Sequence, residues 1–148
     1  MKALHRIISA FLAVMAVWVA VHFLEHSFFE DAVEEASSDG GDRLATLDLF
    51  MAVALLLTMV TAFLSTRREA SKSPLPMSWF VSNIFFYFTI LVAIPFFLNW
   101  FASWGHTDDG ILWIYVETAG PLTWAFQAVR LWRQSAPAER TALGTSPT

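Results

Sequence analysis

Apolar and polar residues are arranged along this chain in long blocks. Residues 7–29, 44–65, 78–104 and 111–133 form four predominantly apolar runs, and the stretches between them are short and polar. At about 1.5 Å per helical residue, each run is long enough to cross a hydrocarbon core roughly 30 Å thick. The pattern predicts an all-α, polytopic integral membrane protein with four transmembrane helices in an antiparallel bundle. That bundle is one domain, residues 1–133. The remainder, 134–148, is rich in Ala, Pro, Ser and Thr and reads as a flexible polar tail. The first run follows Lys2 and Arg6, as a signal peptide would. It is too long for an apolar signal region of about 7–15 residues and lacks a small-x-small cleavage site, so it reads as a retained helix.

The polar stretches differ in sign, and this orients the bundle. With the N-terminus cytoplasmic, Lys2, Arg6, Arg67, Arg68, Lys72, Arg130, Arg133 and Arg140 all lie inside, and only Arg43 lies outside. Among the acids, only Glu69 and Glu139 then fall inside. An excess of Lys and Arg marks the cytoplasmic side, so both termini are expected in the cytoplasm of a bacterial inner membrane. The first outer loop, 30–43, is acidic, and its first half could extend the first helix, with Phe29, Ala32, Val33 and Ala36 on one face. Ser37-Ser38-Asp39-Gly40-Gly41 reads as a stop and a turn. The second outer loop, 105–110, is tight enough to make the third and fourth helices antiparallel neighbours.

Composition agrees. Hydrophobic residues make up 56% of the chain and charged residues 15%, against roughly 45–50% and about 25% in soluble domains. The chain has no cysteine, which excludes disulfides, thiolate metal sites and thiol chemistry. No Gly-rich phosphate loop, no Ser-His-Asp arrangement and no basic nucleic-acid surface is present.

The candidate chemistry starts at His22-Phe23-Leu24-Glu25-His26. In a helix, His22 and His26 are four apart and Glu25 is three from His22, so the three side chains lie near one face. Ionisable groups inside a span are costly and mark functional sites. Counting about 1.5 Å per residue from the outer helix ends puts His22 about 10 Å deep and Glu117 about 9 Å. Glu25, His26, Asp48 and Asn99 lie at roughly 4–8 Å by the same count. Every helix thus gives a polar group to one outer layer. Pro95 and Pro121, just below it, each remove a backbone hydrogen bond and kink their helices. The expected result is an outward-facing polar pocket of His22, Glu25, His26, Asp48, Asn99 and Glu117, walled by aromatic residues.

A divalent metal on His22, His26 and Glu25 would suit imidazole and carboxylate donors. The five-residue string resembles the H-x-x-E-H order of inverted zinc peptidases. The bland alternative is that these groups satisfy one another, for instance Asp48 with Asn99 or a histidine with Glu25 or Glu117. Haem is disfavoured, because only His106 could oppose the first helix and His5 lies on the other side. Trp79, Trp100, Trp104, Trp113 and Trp132 fall at helix ends, as an interfacial belt requires. Ala10, Ala13, Ala16 and Ala20, with Ala119, Gly120 and Ala125, offer small-residue faces for close packing within the bundle or between chains.

No reaction is named by these features. The reading placed first is an accessory or assembly subunit of a larger inner-membrane complex, with the bilayer and other membrane subunits, or further copies of itself, as partners. The alternative is a metal-binding protein or small membrane enzyme acting on a lipid-like substrate, with Glu25 or Glu117 as acid or base. In general plan that is similar to the four-helix sterol isomerases of the emopamil-binding type, whose residue spacings are not reproduced here. A transporter or channel subunit comes last, since the inner half of the spans shows no ionisable path.

Overall fold

The structure, a computed structural model, describes residues 2–33, 40–74, 76–105, 107 and 109–135, with side chains described for 2–25, 46–74, 76–105, 107 and 109–135. Its four helices are α1 (Lys2–Val33), α2 (Gly40–Ala70), α3 (Met77–Ser103) and α4 (Gly110–Ser135). The α1 helix runs beyond residue 29, as the amphipathic pattern there anticipates. By contrast, α2 begins at Gly40, so Gly40 and Gly41 belong to a helix and not to the turn expected of them. Ser37, Ser38 and Asp39 lie outside the described residues, as do His106 and the tail from 136.

Local chemistry explains the sharper boundaries. Pro76 sits in extended backbone, with φ −78° and ψ 158°, immediately before α3. Its carbonyl accepts the N–H of Trp79 at 2.9 Å. At the start of α4, the carboxylate of Asp109 accepts the Ile111 N–H at 2.8 Å. That satisfies one of the donors a helix start leaves unpaired.

The buried positions repeat at helical spacing. On α1 they are Ser9, Leu12, Met15, Ala16 and Val19; on α4 they include Val116, Ala119, Gly120, Thr123, Trp124, Gln127, Ala128 and Leu131. Interhelical hydrogen bonds give the topology. The Ser9 hydroxyl donates to the Ala128 carbonyl at 2.7 Å, setting the start of α1 against the end of α4. Gln127 donates to Thr61 and Arg130 to Ser65, each at 2.6 Å, so α2 and α4 run parallel. Arg130 also donates to Ser82, so α3 runs the other way. The helices therefore alternate in direction. The closest packing is α1 on α4 and α2 on α3; α2 and α4 meet across the diagonal, and the backbones of α1 and α3 stay apart among the described residues. Small residues serve the α1–α4 seam only in part. Ala16, Ala119 and Gly120 are buried in it, while Ala10, Ala13 and Ala125 are exposed. At Gly120 the absence of a Cβ has a use, since one would stand 3.1 Å from the Trp124 ring.

Three segments, Lys2–Glu25, Thr46–Ala70 and Met77–Ser103, are long and apolar enough to cross a membrane. The expected fourth span is not among them. Polar and helix-weakening residues dilute α4: Glu117, Thr118, Gly120, Pro121, Thr123, Gln127 and Arg130. Most of these point inward. Gly120, Pro121, Thr123 and Gln127 are buried, and Glu117 and Arg130 are half-buried. The α4 helix is thus the polar spine of the bundle, and its outward face carries Leu122, Phe126 and Val129.

Candidate functional site

The bundle has two chemically different ends. The α1 start, the α2–α3 connection and the α4 end share one of them, which carries Lys2, Arg6, Arg67, Arg68, Lys72, Arg130 and Arg133. The other end holds the expected polar layer.

Register along the helices places that layer. His22 is thirteen residues beyond Ser9, and thirteen residues back from Ala128 is position 115 of α4. Asp48 is thirteen residues before Thr61, and the same step back from Gln127 is position 114. Asn99 is seventeen residues beyond Ser82, which pairs it with position 113. His22, Asp48, Asn99 and Glu117 therefore share a level to within about one helical turn. His22, Asp48 and Glu117 are half-buried, and each is engaged in an interaction. Each flanks a buried stripe: His22 is three residues beyond Val19, Asp48 adjoins Leu47, and Glu117 adjoins Val116. Glu25 is exposed. The side chain of His26 lies outside the described residues.

Asn99 has a different task from its neighbours. It is buried, and its amide nitrogen donates to the Asp109 carbonyl at 3.0 Å while its amide oxygen accepts the Asp109 N–H at 2.6 Å. Both ends of the side chain are spent on the backbone of one residue of the α3–α4 connection, so the suggested Asp48–Asn99 bond is not how the amide is satisfied. Gly105 and Thr107 add backbone bonds to Ala102 at 2.9 and 3.2 Å, closing the turn.

An aromatic wall stands at the same level. Phe96, fully buried, packs on Trp100 with ring centroids 5.8 Å apart and edge-on against Trp113 at 6.0 Å. The chain of rings continues through Phe97, Phe101 and Trp104. Of the two prolines inside helices, Pro95 leaves the Leu91 carbonyl without its helical partner, and the Tyr115 hydroxyl lies 3.5 Å from it. Pro121 is buried and releases the carbonyl of Glu117 in the same way. Among the described residues there is no group of three or more His, Asp or Glu side chains placed to hold a metal.

A second polar cluster, nearer the basic end, was not anticipated. Arg130 is half-buried; one guanidinium nitrogen donates to the hydroxyls of Ser65 and Ser82, joining α2, α3 and α4. One turn deeper, the Gln127 amide donates to Thr61, whose hydroxyl is placed to donate to the Leu57 carbonyl at 2.7 Å. Three buried atoms here have no hydrogen-bond partner within the described protein: Trp124 Nε1, Gln127 Oε1 and the second terminal nitrogen of Arg130. The sequence signal was available. Thr123, Gln127 and Arg130 lie along the same inward stripe as Trp124, but Arg130 falls at the edge of the apolar run and reads as an interfacial charge.

Comparison with protein families, with curated proteins and with solved structures finds no match. The class rests on composition and fold: a small, aromatic-rich helical bundle of membrane type, three of whose helices are long and apolar enough to span a bilayer.

Proposed function

We propose that this chain is an integral membrane protein with all four helices in the bilayer, both termini cytoplasmic, serving as an accessory or assembly subunit of a larger inner-membrane complex. The observation that carries the membrane reading is the outside of the bundle. Large apolar side chains are exposed on every helix: Val14 and Val17 on α1, Leu56 and Val60 on α2, Ile84 and Leu91 on α3, Leu122 and Val129 on α4. A soluble bundle would present charge there. The α4 helix accompanies α1 along its length in the tightest pairing of the bundle, so a bilayer that holds α1 holds α4 too. Its polar residues are tolerable because they face inward.

The accessory role is supported by economy of surface. The described connections are a few residues long, and no separate extramembrane unit lies among the described residues. What remains for recognition is the apolar flank. Purification in mild detergent tests this: other membrane proteins are expected to co-purify in fixed proportion. A chain that emerges alone, stable and monodisperse would count decisively against the subunit reading.

One observation favours the second reading, a metal-binding protein or membrane enzyme with a lipid-like substrate. His22, Asp48 and Glu117 share a level beside the Phe96–Trp100–Trp113 wall. In that reading Glu117 or Glu25 acts as acid or base and His22 as ligand or proton relay. Elemental analysis of the wild type and of a His22→Ala/His26→Ala double variant separates the two. Metal in the wild type alone supports a site on α1; no metal in either removes the metal version.

A further inference from the structure

The last two turns of α4 form a stripe whose chemistry changes along its length. Phe126, Val129, Arg130, Arg133 and Gln134 line a groove of about 380 Å³. Their spacing (i, i+3, i+4, i+7, i+8) puts them on one face of the helix. The floor is apolar. Phe126 and Val129 are each about half exposed, and Phe126 is supported from behind by the Phe85 ring with centroids 4.7 Å apart. At its outer end Arg133 and Gln134 are exposed, beside the exposed Trp132, a residue type favoured at the membrane–water boundary.

The charge at the groove is not neutralised locally by hydrogen bonding. Arg130 bonds only neutral hydroxyls, and its other terminal nitrogen has no acceptor within the described protein. Glu69, at this end of the bundle, has both oxygens engaged: one with Lys72 at 2.7 Å, the other by the Ser78 hydroxyl. Arg130 is turned inward and lies within the electrostatic reach of Glu69, so the exposed Arg133, one turn on, is the guanidinium at the open end of the apolar trough. Guanidinium groups bind phosphate through paired N–H donors, and basic recesses on the flanks of membrane helices take anionic headgroups.

We propose that this groove binds one anionic phospholipid. Arg133 and Gln134 meet the headgroup phosphate, Arg130 adds its charge from behind, and an acyl chain lies along Val129 and Phe126. Neither the recognition of α4 as lipid-exposed nor the outer polar layer assigns such a site. The inference rests on the bundle lying in a bilayer, and that premise can fail separately: the wild-type chain would then be released from vesicles by alkaline carbonate.

The test is native mass spectrometry of the full chain in detergent, with phosphatidylglycerol, phosphatidylcholine or inorganic phosphate added separately. Phosphatidylglycerol is expected to stay bound at one per chain and phosphatidylcholine to be lost. Arg133→Gln is expected to weaken retention about fivefold, the equivalent of about 1 kcal/mol for a basic residue near an anionic membrane surface. Arg133→Lys keeps the charge but loses the paired N–H donors, so it should weaken retention by less than the Gln variant but measurably, and that loss is the reading if the Gln variant does not fold. Arg68→Gln removes the same charge at the same end but outside the groove and should change nothing. Equal losses in Arg68→Gln and Arg133→Gln, equal retention of phosphatidylcholine, or full occupancy by inorganic phosphate alone would each overturn the proposal.

Discussion

Single side chains in this bundle do work that their chemical type does not announce. Asn99 reads in the sequence as one wall of a polar pocket, because its depth matches those of Glu117 and Asp48. Its amide instead bonds both the N–H and the C=O of Asp109, and Asp109 in turn caps α4. Removing it takes the partner from the Asp109 N–H, while the Asp109 carbonyl keeps the N–H groups of Leu112 and Trp113, so Asn99→Ala is expected to destabilise the bundle by about 1 kcal/mol. Thermal unfolding in detergent reads this directly, and an unchanged midpoint would remove the clamp from the account. Depth was legible from counting residues; the partner was not, because it depends on the path of a short loop. Arg130 illustrates the converse. Its position at the edge of an apolar run looks interfacial, yet its head turns inward to two serines on other helices. Long basic side chains have enough reach that sequence position alone does not place their charge.

At the scale of elements, the four helices and their approximate ends were legible, because block apolarity and punctuation by Pro76, Gly105 and Asp109 act locally. The start of α2 was misread: Gly40-Gly41 is a strong turn signal by local preference, but both residues lie within the helix. Helical propensity is a weak prior, and neighbouring residues and packing override it. The status of α4 is the more consequential difference. Its run looks like the other three by length, but inward-facing polar residues lower its apolarity below what a lone span requires. Its lipid credentials lie on one face. Leu122 is 68% exposed on that face. A Leu122→Cys variant, in a chain otherwise free of cysteine, is expected to react with a water-soluble maleimide at least about tenfold more slowly than an exposed loop thiol. Ionisation to the reactive thiolate is suppressed in an apolar setting. Labelling at the loop rate would take α4 out of the bilayer.

For the whole molecule, the division into a basic and an acidic end follows from four alternating helices of similar length. Local composition becomes a global dipole only because the helices alternate, and this much could be read from the charges alone. The shared level of His22, Asp48 and Glu117 is a consequence of the same alternation, and the Ser9–Ala128 and Thr61–Gln127 contacts fix its register. The α4 half of the second polar cluster could be read from its inward stripe; its partners Thr61, Ser65 and Ser82 could not, because they come from two other helices. The central claim is that this bundle spans a membrane with both termini inside. Labelling of single cysteines by a membrane-impermeant maleimide in intact cells tests it most directly. Ser38→Cys, in the acidic connection, should be labelled without permeabilisation, and Ser71→Cys, in the basic one, only after it. Labelling of both in intact cells, or of Ser71→Cys alone, would contradict the account.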